Sequence, residues 1–224
     1  MSRSRVVPFC FLTLLFPPLA CSAQSRSPFT AGATAAPNPS SAVVSVRQLQ
    51  IPEKARKACE KGTELFAAKD AAGSIPEFQK AIKAVPGYYE AYAKMGAAEL
   101  DLEQWAAAES AFRRAMELSD GRYAPANFGL GLILATVTKR FDQAEAVVRT
   151  GLAMAPTDVT GHFVLAWVLY STARLDEAEE SAREAIISGP NVPAARLLLA
   201  QIHLQEKKFS AVIEDIDSYL PSIL

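Results

Sequence analysis

The sequence predicts an all-α protein built as a solenoid of about five helix-turn-helix units, and three observations carry that prediction. Small residues recur in register: Gly62, Gly96, Gly131, Ala166 and Ala200 are spaced by 34, 35, 35 and 34 residues. Two further series keep step with them. Ser74, Ala108, Ala144, Ala178 and Val212, and Ala81, Ala115, Gly151, Ala185 and Tyr219, both run at 34, 36, 34 and 34. Prolines close the units at Pro86, Pro156 and Pro190, with Asp120 where the second unit would have its proline. Self-similarity at this period marks stacked supersecondary units, none of which can bury its apolar face alone.

The chain opens differently. Met1 to Arg5 supplies two arginines, Val6 to Phe16 is an apolar run, and Cys21-Ser22-Ala23 is a small-x-small site. That is the order of a secretory signal peptide over residues 1–23, and the run is too short to span a bilayer. Two processing routes stay open. Cleavage after Ala23 would release the protein, whereas processing before Cys21 would let a lipid on that cysteine tether it to a bacterial membrane. Pro18 stands where such lipidation signals usually carry leucine. The expected location is therefore outside the cytoplasm, periplasmic or secreted, with membrane attachment only through a lipid anchor.

Removal of the leader after Ala23 leaves Cys59 as the sole thiol and takes away Arg3 and Arg5. An intrachain disulfide is then excluded, so packing must hold the mature protein together. Cys59, among alanines and lysines on a helix, reads as a small semi-buried filler. Residues 24–50 form a Ser-, Pro- and Ala-rich flexible linker. Its last part carries Val44, Val46 and Leu49 and leads to Ile51, an apolar stretch expected to lie extended against the fold.

Residues 51–224 form the helical domain, with units at about 55–88, 89–123, 124–158, 159–192 and 193–224. Pro52 suits a first helical turn. A helix sets side chains three and four apart on one face, and the small residues lie where neighbouring helices must approach closely. "LDEAEESAREAIISGP" illustrates a second helix: Ala178, Ala182 and Ala185 on the packed face, glutamates and Arg183 outside, and Gly-Pro as terminator. The third unit has one extra residue near Thr136 to Lys139 and Gly151 in place of alanine; the fifth is loose after Phe209.

These residues resemble the tetratricopeptide repeat, a 34-residue helix-turn-helix unit. "AYAKMGAAELDLEQWAAAESAFRRAMELS", residues 91–119, matches through Gly96, Ala108, Phe112 and Ala115, and the first unit through Gly62, Phe78, Ala81 and Pro86. The resemblance implies a right-handed superhelical solenoid whose first helices line a concave side. It also implies a non-catalytic protein that holds a protein or peptide segment in that groove.

The stretch "HFVLAWVLY", residues 162–170, is apolar on two sides of one helix. Leu165, Ala166 and Leu169 fall on the stripe that packs between helices, and Phe163, Trp167 and Tyr170 on the stripe that faces the groove. The same places hold Phe128, Leu132 and Ala135 in the third unit, and Leu197, Gln201 and Leu204 in the fifth. The expected groove is polar and small-sided over the first two units and aromatic from Phe128 onward. Its candidate partner-binding residues are Phe128, Leu132, Phe163, Trp167, Tyr170, Leu197, Gln201 and Leu204. One subclass of the family clamps a terminal carboxylate with basic groove residues. At those places this chain has Cys59, Thr63, Lys94, Pro125 and Gly129, of which only Lys94 is basic.

Nothing in the sequence points to catalysis, a cofactor or a metal. His162 and His203 fall too far apart along adjacent helices to share a metal, and no phosphate loop or metal motif is present. The acidic pairs Glu179-Glu180 and Asp215-Asp217 are assigned to outer, solvated faces. With 23 basic and 24 acidic residues there is no charge excess to attract nucleic acid. Two function classes follow: a scaffold or adaptor of the cell envelope, or a regulatory or substrate-docking module of an enzyme whose catalytic part is elsewhere. The apolar end "IDSYLPSIL" lacks a polar capping helix, so a further segment, a partner or a second copy of the chain is expected to meet it.

Overall fold

The computed structural model describes residues 51–189 and 192–219. The leader, the linker, Cys21, Pro190 and residues 220–224 lie outside the described residues. Among those described there are ten helices in five pairs, and no strand. The pairs are α1 (Glu53–Ala67) with α2 (Ala71–Ala84), α3 (Tyr89–Asp101) with α4 (Trp105–Leu118), α5 (Ala124–Thr136) with α6 (Phe141–Met154), α7 (Val159–Ser171) with α8 (Leu175–Ser188), and α9 (Pro193–Gln205) with α10 (Phe209–Tyr219). Each helix packs on the next. The first helices also touch one another, α1 with α3, α3 with α5, α5 with α7 and α7 with α9. The result is an all-helical solenoid with the first helices as its inner layer.

The turn inside each pair is a recurring device. Lys69, Glu103, Ala173 and Lys207 take φ of 66°, 59°, 61° and 61° one residue past the helix cap. The next amide then reaches back five residues: Asp70 to Leu65, Gln104 to Glu99, Arg174 to Leu169 and Lys208 to His203. This left-handed cap satisfies the last carbonyls of the first helix and reverses the chain within three residues. The extra residue of the third unit sits in this turn. Lys139 takes the left-handed place with φ 57°, and the Arg140 amide reaches six residues back to Leu134.

The three series of small residues mark the helix crossings. Ser74, Ala108, Ala144 and Ala178 are fully buried, as are Ala81, Ala115 and Ala185. Size is traded across each pair. A Cβ on Gly62 would lie 2.7 Å from the Phe78 ring, one on Gly96 3.2 Å from Phe112, and one on Gly131 2.3 Å from Val148 Cγ2. In the fourth unit the same two places hold Ala166 and Ala182, both 0% exposed. A large residue on the second helix thus demands glycine on the first, and a pair of alanines fills the same space. The Phe112 ring is gripped from both sides, because a Cβ on Gly129 of the next unit would stand 2.3 Å from it.

Candidate protein-binding groove

The inner stripe begins with a closed residue, Cys59, and a partly open one, Thr63. Cys59 is 2% exposed, and burial pushes its thiol above the ordinary range with the Lys94 ammonium opposing, which suits a filler and not a nucleophile. Lys94 donates to Thr63 Oγ1 at 3.0 Å, and Thr63 in turn donates to the Cys59 carbonyl. Lys94, the one basic residue at the clamp places, is therefore engaged within the fold. In the second unit Ala93, Ala97 and Leu100 are all buried.

In the third unit the structure corrects the sequence expectation. Phe128 and Leu132, expected to line the groove, are each 2% exposed and belong to the core, as does Phe163. Phe128 is drawn in by two glycines: Cβ atoms on Gly151 and Gly161 would lie 2.4 and 2.6 Å from its ring. Glycine stands at 151, where the first, second and fourth units have alanine, because this ring needs the room. The three residues offer a partner almost no surface as they stand.

From Trp167 onward the stripe opens. Trp167 and Tyr170 are half-buried, their ring centroids 6.2 Å apart at 41°. Leu197 and Gln201 are partly open, and Leu204 is 56% exposed. The sequence-derived stripe thus divides into a sealed part, Phe128, Leu132 and Phe163, and an open part, Trp167, Tyr170, Leu197, Gln201 and Leu204. The indole N–H of Trp167 is buried without a hydrogen-bond partner, an uncommon state for a buried donor.

The histidines take structural places. His162 Nε2 lies 2.7 Å from the Pro156 carbonyl, six residues back, clasping the linker before α7. Asn127, at the matching place of α5, does the same, donating to the Gly121 and Tyr123 carbonyls. His203 is 2% exposed at a place where other units carry Leu65, Leu134 and Leu169. Its Nδ1 lies 2.6 Å from Asp215 and its Nε2 3.3 Å from Glu179. Of the acidic pairs assigned to outer faces, Glu180 and Asp217 are exposed, but Glu179 and Asp215 turn inward to this imidazole. A histidine at a leucine place was the available signal, since a buried imidazole requires polar partners.

Glu179, His203 and Glu206 also bring candidate metal-ligand atoms within 4.8 Å of one another. The Lys208 ammonium already bridges the two carboxylates, 2.9 Å from Glu179 and 3.1 Å from Glu206. Lys208, with Arg183 and His203, pulls the Glu179 carboxyl down to about 2. The cluster reads as a charge-balanced clamp joining α8 to the last pair.

That clamp ends a ladder the sequence reading missed. Glu109 pairs with Arg140 of the next unit at 3.2 Å, Glu145 with Arg174 at 2.7 Å, and Glu179 with Lys208 at 2.9 Å. Each glutamate is also held from its own helix by Arg113, Arg149 or Arg183, four residues on. Glu99 is the opposite case. It is 7% exposed at the place of Leu65 and Leu134, its Oε2 has no hydrogen-bond partner, and burial raises its carboxyl above the ordinary range.

Comparison with known proteins fits this architecture. Tetratricopeptide repeat models match residues 59–121, 93–159 and 138–202. No curated protein matches the chain. Among solved structures, MamA from Desulfovibrio magneticus RS-1 superposes with TM-score 0.61 at 16% identity, over 77% of this chain and 96% of that one. A thermophilic TPR protein of Thermus thermophilus gives TM-score 0.66 at 18% identity, over 75% and 91%. PilW, a type IV pilus biogenesis factor, gives 0.69 at 17% identity, over 77% and 79%. The repeat matches run from residue 59 to residue 202, most of the chain, and fall on the helix pairs described above: the chain belongs to the tetratricopeptide repeat family, whose repeats serve in general as non-catalytic scaffolds for protein–protein interaction.

Proposed function

We propose that the protein is an exported scaffold of the cell envelope that holds an apolar or amphipathic partner segment against the inner face of its last two units. The observation that carries this reading is the change along the stripe: sealed from Ala93 through Phe163, then open and apolar at Trp167, Tyr170, Leu197 and Leu204. Tryptophan and tyrosine are the side chains that most often dominate binding energy, since they present large rigid surface with a polar tip. Gln201 adds one amide able to bond a partner's backbone. The leader-like order of residues 1–23 supports export, and Cys21 offers a route to membrane attachment.

The test is a double substitution, Trp167→Ala with Tyr170→Ala. Both protein forms would be used to capture partners from the envelope fraction of the source cell, and each captured protein would then be titrated against both forms. The expected result is a loss of affinity of roughly tenfold or more in the variant. Equal affinity for both forms, with helicity unchanged, would overturn the groove assignment.

A further inference from the structure

The two ends of the solenoid are not alike. At the first end, α1 turns Glu53, Arg56, Lys57, Glu60, Lys61 and Glu64 to solvent, with Arg56–Glu60 and Lys57–Glu53 ion pairs along it. That is a polar cap, the ordinary way to finish a repeat array. At the other end α10 exposes Phe209 and Ile213, each 62%, and Ile216 at 44%. These three lie four and three residues apart, on one side of the helix.

The repeat register shows what this side is for. Ile216 takes the place of Phe78, Phe112, Val148 and Ala182, which are 0–2% exposed. Phe209 takes the place of Trp105, Phe141 and Leu175, which pack partly buried against the core. Ile213 stands where Glu109, Glu145 and Glu179 each receive a cation from the following unit. The interface between units thus continues onto α10, with its ladder glutamate replaced by isoleucine. Whatever covers the face need not supply the cation that a following unit would bring.

We infer that the α10 face is covered by the same face of a second copy, in an antiparallel, two-fold arrangement. A head-to-tail contact would set Phe209, Ile213 and Ile216 against the charged side of α1 and desolvate that side without compensation. An isologous pair instead places apolar side chain against apolar side chain about one axis. The charges of α10 suit it. Lys207 stands exposed at its N-terminal end, where Lys208 is held by Glu179 and Glu206, while Glu214 and Asp217 are exposed in its C-terminal half. Reversing one copy brings acid toward lysine and toward the positive end of the partner helix.

The purified protein and three variants test this by sedimentation equilibrium over a concentration series. Ile213→Glu restores the residue that three other units carry at this place and lies on the surface, so the fold is expected to tolerate it. It should weaken dimerisation by roughly a hundredfold or more, because carboxylates from both copies would crowd a desolvated contact. Ile213→Leu should keep the dimer. Trp167→Ala with Tyr170→Ala should also keep it, which separates this surface from the inner groove. A native protein that stays monomeric at every concentration would overturn the inference, as would a dimer unchanged by Ile213→Glu or one lost with the groove variant.

Discussion

The first helices of the third and fifth units hold the same three places of one repeat and meet opposite fates. In α5 Phe128, Leu132 and Ala135 are sealed; in α9 Leu197 and Gln201 are partly open, and Leu204 is 56% exposed. Amphipathic pattern does not separate them, since all but Gln201 are apolar. The neighbours do. Helix α5 is packed by first helices on both sides, α3 and α7, whereas α9 has only α7 among the described residues. A solenoid therefore leaves inner-face side chains of its last first helix open where stacking is one-sided, and the same residue type is core in one unit and exposed in another.

Truncation at matched places gives the sharpest break of that comparison. Phe128→Ala should lose about 3–5 kcal/mol, because the ring leaves a cavity walled by Gly151 and Gly161. Leu204→Ala should move stability by no more than about 0.5 kcal/mol. Urea melts of the two variants suffice, and equal losses would mean that α9 is as enclosed as α5.

A second prediction concerns the buried carboxyl of the second unit. Glu99→Leu matches the leucines of other units and should stabilise the fold by about 1–3 kcal/mol, the cost of an unsatisfied buried polar group. Its pH dependence has a definite sign. The carboxyl is raised in the fold, so the unfolded chain loses its proton first as pH rises past the ordinary 4.5, and the native protein loses stability from there upward. The melting-temperature gain of the variant should therefore be larger at pH 8 than at pH 4. A gain that is flat or reversed with pH would locate the carboxyl in water.

The smallest effect belongs to the ladder. Glu145→Gln removes partners from Arg149 and Arg174 at a partly exposed site and should lose about 0.2–1 kcal/mol. The loss should shrink at high salt, and a loss that does not change with salt would mean packing, not charge, is at work there.

The helix pairs were legible because a crossing between helices constrains volume, and volume is written in residue size. Gly62, Gly96 and Gly131 register at fixed spacing because Phe78, Phe112 and Val148 face them. The departure at Gly151 was visible too, and Phe128 explains it. The groove was legible only in part. Register tells which side of a helix a residue takes, but not how closely the next first helix approaches, so it assigns Phe128, Leu132 and Phe163 to a surface that the structure closes. The buried place of His203 could be read from the leucines in its register, but its partners Glu179 and Asp215 could not, because the three residues come from three helices and no spacing rule links them.

The glutamate-to-cation ladder also says something about how such a chain can lengthen. Each of the middle units carries an acid on its second helix and, from the third unit on, a base at the turn before that helix. A unit of this kind holds plug and socket together, so a duplicated copy inserted beside its parent would find both neighbours already complementary. The first unit, with Ile75, and the fifth, with Ile213, lack the acid. Growth by duplication is therefore open to the third and fourth units, which hold both groups, and closed to the terminal ones, which leaves the two ends free to diverge.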